Sequence, residues 1–175
     1  MSSPYDEWEI PDPVHRDLEQ GLMEGVYGAM ADGSIQSVVD AIGKQELILM
    51  MAGTTDKKSR AYKSARDKVG RWLKGSRRPS KAGQQLLDSL AKKFKRDQVM
   101  ARGSLSVSIS GTFVTSKKPW KGKMSATLTG TALADFMDAL EGGDPMWAAQ
   151  VVCQEYGMDP DVVLELTEVG EISVS

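Results

Sequence analysis

The sequence predicts an α+β fold, in which an all-helical N-terminal domain precedes a small ββααβ domain (104–175) with an antiparallel sheet. Up to about residue 100, apolar residues recur every three or four positions, as they do on one face of an α-helix. From residue 104 they alternate with polar residues, as in a strand, and the helical spacing returns over 131–156. A chain of 175 residues that is 41% hydrophobic can form one or two small domains with cores of their own.

The N-terminal half divides into a tail and a helical domain over 14–100. Residues 1–13 hold three prolines and four acidic residues, which predicts an acidic extended tail. A stripe of apolar residues with a spacing of four starts at Val14 and predicts the first helix. A second helix is expected over 35–51, with a break near Gly43.

Two longer helices complete this domain. The first is predicted over 57–74, with its N-cap within 54–56 and Gly75 placed to end it. Its inward side chains are expected to be Ala61, Tyr62, Ala65, Val69, Trp72 and Leu73. The second is predicted over 79–98, where Pro-Ser starts the helix. Its inward side chains are expected to be Leu86, Leu87, Leu90 and Phe94.

The C-terminal domain begins with a predicted antiparallel hairpin over 105–128, whose loop includes 117–123. Two helices are then expected, at 131–141 and 145–156. The last residues, VVLELTEVGEISVS, predict a closing strand with a bulge or kink at Gly170.

The net charge of −2 conceals three segregated blocks. Residues 1–56 carry a net charge of −9, residues 57–123 carry +17, and residues 124–175 carry −10. The basic block has 20 Lys and Arg and only three acids, whereas a surface that is merely soluble mixes the two signs. The middle block therefore predicts contact with nucleic acid, the alternative being a solvated charged face.

Several classes of protein are excluded by what the sequence lacks. One cysteine and one histidine give neither a disulfide framework nor a zinc site, and no P-loop or hydrolase motif occurs. No apolar run could span a bilayer and the N-terminus is no signal peptide, so a cytoplasmic protein without a membrane partner is predicted. Cys153 is expected in the core, and Asp135, Asp138 and Glu141 are expected on a solvated acidic face rather than around Mg²⁺. No enzyme activity, cofactor or metal is predicted.

The helix over 57–74 is predicted to present its cations on the side opposite its apolar residues. Within about 60° of Arg60 on a helical wheel lie Lys63, Ser64, Asp67, Arg71 and Lys74. The basic ridge predicted to bind nucleic acid consists of Arg60, Lys63, Ser64, Arg71, Lys74, Arg77, Arg78 and Lys81. Asp67 either pairs with Lys63 and Arg71 or accepts a hydrogen bond from a cytosine amino group.

The predicted hairpin loop combines an aromatic side chain with lysines and no acid. The residues predicted to contact nucleic acid here are Lys117, Lys118, Trp120, Lys121 and Lys123. The lysines would bind phosphates while Trp120 stacks on a base or wedges into the minor groove. The alternative is that Trp120 folds back over the sheet and the lysines are solvated.

Arg71-Trp72-Leu73-Lys74-Gly75, followed by the Arg-rich turn to Pro79, resembles the exit of the recognition helix in helix-turn-helix proteins. The resemblance covers about 30 residues and implies a helix-turn-helix-like N-terminal domain. Gly53 is the only candidate for the turn glycine, and the helix that follows is longer than usual.

The order of elements resembles, over roughly 70 residues, the C-terminal part of the terminal proteins that cap actinobacterial linear replicons. The matching pieces are the exit just described, the hairpin over 105–128, Tyr156-Gly157 and the closing LELTEVGEISVS. The resemblance implies a protein primer that links a hydroxyl to the 5′ end of DNA and associates with a telomere-binding partner. Thr115 and Ser116 are the candidate hydroxyls, at the entrance of the loop.

The sequence therefore predicts a DNA-binding protein acting in the replication or maintenance of a replicon, or in its regulation. The alternatives are a transcriptional repressor of the helix-turn-helix type and an interaction or inhibitor module that binds an acidic protein. Duplex DNA or structured DNA ends are the expected partners. A protein partner on the acidic C-terminal helices and a homodimer are further expectations, as is competition between the acidic tail and DNA for the basic ridge.

Overall fold

The computed structural model describes residues 12–114, 119–157 and 165–175. The helices are α1 (Asp12–Tyr27), α2 (Ile35–Ile42), α3 (Lys44–Ala52), α4 (Arg60–Lys74), α5 (Lys81–Arg102), α6 (Gly130–Glu141) and α7 (Pro145–Glu155), with a short 3₁₀ helix at Gly28–Asp32. The strands are β1 (Ser104–Val114), β2 (Pro119–Thr129) and β3 (Glu165–Val174). The predicted α+β class with an antiparallel sheet is confirmed.

Some predictions concern residues outside this description. The acidic tail was predicted over 1–13, of which residues 1–11 are not described, whereas Asp12 and Pro13 begin α1. The candidate hydroxyls Thr115 and Ser116 and the loop lysines Lys117 and Lys118 also lie outside the described residues.

The chain divides into two compact units that differ from the predicted domains. The sheet unit contains Met1–Val26 with Gln98–Ser175, and the helical unit contains Tyr27–Asp97. Most of α1 thus belongs with the sheet, although the sequence grouped residues 14–100 together. An apolar stripe shows that a helix is buried but does not show which element covers it.

The sheet has the strand order β2-β1-β3, and both neighbours of β1 run antiparallel to it. One face is covered, and its largest buried side chains are Ile109, Phe113, Met124 and Leu128. Helices α6 and α7 contact each other and the hairpin. The other face carries hydroxyls that bond across the strands, with Ser108 Oγ lying 2.9 Å from Ser125 Oγ.

The closing strand pairs irregularly with β1. Ile109 pairs with Ile172 and Gly111 with Val169, so β3 has one more residue than β1 between these pairs. The extra residue lies beside Gly170, where the sequence predicted a bulge or kink, and that prediction is confirmed.

Helix α1 approaches β3 through two glycines on one helical face. A Cβ atom on Gly21 would lie 2.5 Å from Ile172 Cδ1, and one on Gly25 would lie 2.6 Å from Val174 Cγ2. The absence of these two side chains therefore permits the contact between α1 and β3. The predicted apolar stripe from Val14 is buried as expected.

In the helical unit, α2, α3 and α4 pack on one another. The helix predicted over 35–51 is interrupted at Gly43, whose φ of 95° lies outside the range that other residues adopt readily, so the predicted break is confirmed. Asp32 accepts a hydrogen bond from the backbone N–H of Ser34 at 2.8 Å, and this bond holds the pKa of that carboxyl below its ordinary value. Ser34 in turn caps α2 through Ser37.

The start of α4 differs from the prediction. Its N-cap is Ser59, whose hydroxyl accepts from the backbone N–H of Tyr62, so the helix begins at Arg60 rather than at residue 57. Asp56 accepts instead from the N–H of Lys58 and closes a separate turn before the helix. Ala61, which was predicted to face inward, is exposed.

Helix α5 runs four residues beyond its predicted end and turns one predicted core residue outward. Leu87 is fully buried, whereas Leu86 is 41% exposed. Adjacent helical residues point about 100° apart, so the two cannot share one inward direction. No helix of the described residues is long and apolar enough to cross a membrane.

The contact between α1 and β3 leads to a stability prediction. Gly25→Ala should lower the free energy of unfolding by about 1–3 kcal/mol, because its Cβ would overlap Val174. Gly70→Ala, at a helical position with open space around it, should raise that free energy by about 0.5–1 kcal/mol. Urea unfolding of both variants checks this. If both substitutions changed the free energy of unfolding equally, the contact between α1 and β3 would be contradicted.

The buried thiol of Cys153 gives a second prediction. Burial raises its pKa from an ordinary 9.0 to about 11, so the neutral thiol is favoured in the folded protein. Its contribution to stability should be complete below about pH 9 and lost as the pH rises through about 11. At about pH 8 a maleimide should label the folded protein slowly and the urea-unfolded protein quickly. Equally fast labelling would contradict the burial.

Candidate nucleic-acid interface

One face of α4 is held against the helical unit and the opposite face is open. Tyr62, Ala65 and Val69 are buried, and α4 packs on α3. The Tyr62 hydroxyl also donates a hydrogen bond to Gln45 Oε1 at 3.3 Å. Because these contacts fix the back of the helix, the polar side chains opposite them keep a defined direction.

The open face forms a first groove with a volume of about 510 Å³. Its lining residues are Lys58, Arg60, Lys63, Ser64, Asp67, Lys68 and Arg71. Four members of the predicted basic ridge are therefore brought together here. Lys58 and Lys68 were missed by the sequence analysis, because Lys58 precedes the helix and Lys68 lies about 80° from Arg60 on the wheel.

A second groove, of about 580 Å³, lies where α4 ends and α5 begins. Its lining residues are Met51, Lys68, Arg71, Trp72, Arg77, Arg78, Ser80, Ala82, Gly83 and Leu86. Lys68 and Arg71 line both grooves, so the cationic surface continues from one to the other. Lys74 and Lys81 are exposed but line neither groove.

The cations of these grooves are not neutralised within the part of the chain that the structure describes. No ion pair with a described residue is formed by Arg60, Lys63, Lys68, Arg71, Arg77 or Arg78. Asp67 lies with its carboxylate 3.5 Å from Nε of Arg66, and both side chains are more than half exposed. The expected pairing of Asp67 with Lys63 and Arg71 is therefore wrong, since the adjacent guanidinium takes their place.

Apolar side chains on the surface of the second groove were not predicted from the sequence. Trp72 is half-buried and Leu86 is exposed, although both were expected to face the core. The sequence did indicate that one leucine would be exposed, because Leu86 and Leu87 are adjacent and only one of them can point directly inward. Met51, from the end of α3, completes the apolar part of the lining.

The hairpin residues of the sheet unit are placed differently from the prediction. Strand β2 already begins at Pro119, so Trp120, Lys121 and Lys123 are strand residues rather than loop residues. Trp120 is half-buried, with its ring centroid 5.2 Å from that of Phe113 and 6.3 Å from that of Tyr156. This position favours the alternative in which Trp120 folds back over the sheet.

Lys121 and Lys123 point to the opposite face of β2 and are exposed. They line a shallow groove of about 330 Å³ together with Ser110, Thr112 and Glu168. The Thr112 hydroxyl donates to Glu168 Oε2 at 3.3 Å. The carboxylate in this groove makes it a weaker candidate for phosphates than the two grooves of the helical unit.

The described residues contain no group of three or more His, Cys, Asp or Glu side chains that could hold a metal ion. The three acids of α6 lie within about 120° on one side of that helix, where Asp138 is exposed and Asp135 and Glu141 are half-buried.

Comparison with known proteins gives no family for the chain. No family model matches it. No curated protein matches it, and neither does any solved structure.

Proposed function

We propose that this protein binds DNA through the two cationic grooves of its helical unit. The observation that carries the proposal is the continuity of the grooves, which share Lys68 and Arg71. The first groove has five cations and one acid, and the second has four cations and no acid.

The arrangement suits a polyanion with regularly spaced charges. Long Lys and Arg side chains project from a helix whose apolar back is fixed, and such side chains reach phosphates and base edges. The turn after α4 extends the row of cations through Arg77 and Arg78. Binding of phosphates would release counterions from the DNA, which makes the affinity strongly dependent on salt.

Action in the replication or maintenance of a replicon is a narrower proposal, supported by the resemblance to terminal proteins. The resemblance to helix-turn-helix proteins supports duplex DNA as the ligand. Segment 53–59 separates α3 from α4. This segment is longer than the usual helix-turn-helix turn of three or four residues. The proposed DNA binding therefore does not include the usual helix-turn-helix geometry on the duplex.

Charge reversal tests the proposal with a matched control. Arg71→Glu with Arg78→Glu should lower the affinity for duplex DNA at least tenfold and make the slope of log K against log salt shallower by about two. Lys44→Glu with Lys93→Glu reverses the same number of charges at exposed positions outside both grooves and should keep the wild-type affinity.

Fluorescence anisotropy over a salt series measures these affinities, and circular dichroism checks that the fold is unchanged. A wild-type slope near zero would refute DNA binding through phosphates. Equal losses in the two double variants would refute the assignment to the grooves.

Asp67 gives a separate prediction, because it is the one acid lining the first groove. Asp67→Asn should strengthen binding to all duplexes by a similar, small factor, about two- to fivefold, if the carboxylate only repels phosphates. Affinities for a set of duplexes that differ at single base pairs check this. A change confined to sites with one particular cytosine would show instead that Asp67 reads a base.

A further inference from the structure

We propose that the second groove holds an unstacked nucleotide, so that the protein favours duplex DNA with a single-stranded extension over a blunt duplex. This inference rests on the proposed DNA binding and names the form of DNA that the same surface takes.

The second groove combines the two kinds of group that a nucleotide needs. Its apolar lining comes from Met51, Trp72 and Leu86, and a base can stack on such a surface. Its charged lining consists of Lys68, Arg71, Arg77 and Arg78, with no acid among the lining residues. Sequence-tolerant binding of single strands uses this combination of stacking and cationic side chains.

Trp72 is held in place by α5. A Cβ atom on Gly83 would lie 3.1 Å from Cζ2 of the indole, so the edge of the ring sits against the first turn of α5. The ring is half-buried and lines the groove. Leu86, one turn further along α5, remains 41% exposed beside it.

Continuity with the first groove favours a nucleotide over other occupants. Lys68 and Arg71 can hold phosphates at the junction, from which the strand would continue past Arg77 and Arg78. The flat faces of bases in an intact duplex are covered by their neighbours, so an apolar floor can contact a base only where stacking is interrupted. A peptide with acidic and aromatic residues is the competing occupant.

Anisotropy titrations of the full chain test this with two probes, a blunt duplex and the same duplex with a short oligothymidine overhang. Wild-type protein should bind the overhang probe at least about fivefold more tightly, the lower end of the effect of stacking one base. Leu86→Ala should lose most of that preference. Met100→Ala, at a similarly exposed apolar residue of the sheet unit, should keep the preference.

Tryptophan fluorescence supplies a second readout. Oligothymidine should quench the emission of the wild-type protein, and Trp72→Phe should remove most of this quenching while the circular dichroism stays the same. A synthetic peptide of residues 1–13 with the substitution Trp8→Phe, which removes its own tryptophan emission, serves as the acidic, aromatic competitor.

The outcomes separate this inference from the proposed function. Equal wild-type affinity for the two probes, with salt-dependent binding of both, would overturn the nucleotide site and leave DNA binding intact. Absence of binding to both probes at low salt would refute the proposed function itself. Quenching of Trp72 by the peptide but not by oligothymidine would overturn the proposal in favour of a peptide site.

Discussion

The burial of one face of α4 is the interaction on which the candidate interface depends. Tyr62, Ala65 and Val69 are withdrawn from water, and Ser59 and Gly75 set the two ends of the helix. The cations that line the grooves from the other face are thereby aligned at helical spacing, and none of them forms an ion pair with a described residue. A loop of the same composition would not hold them in this order, because the backbone entropy of each residue would oppose it.

Charge and packing are separated in the helical unit. The core supplies the stability, since apolar burial contributes most of the free energy of folding. The cations of the grooves repel one another and contribute little to stability, and the proposed binding of a polyanion would account for their concentration. In the sheet unit the lysines share their groove with Glu168, and Trp120 packs between Phe113 and Tyr156. The two grooves of the helical unit are therefore better suited to a polyanion than the groove of the sheet unit.

The helices and strands were predictable where one local rule decides them. Gly43 breaks a helix because of its backbone freedom, and alternating residues from Leu105 onward form a strand because one face is covered. Predictions failed where two local signals compete. Asp56 and Ser59 can both cap a helix, and the structure uses Ser59. Leu86 and Leu87 are equally apolar, and packing buries only Leu87.

The order of residues alone establishes the α+β class, the concentration of positive charge in the middle of the chain and the division of α4 into apolar and cationic sides. These properties depend on local periodicity and composition, which act over a few residues. Tertiary structure decides that α1 joins the sheet, that Trp120 is packed, and that Trp72 and Leu86 lie beside Arg77 and Arg78 in one groove. Such contacts join different helices and strands, and they depend on which surfaces fit together when the core is closed.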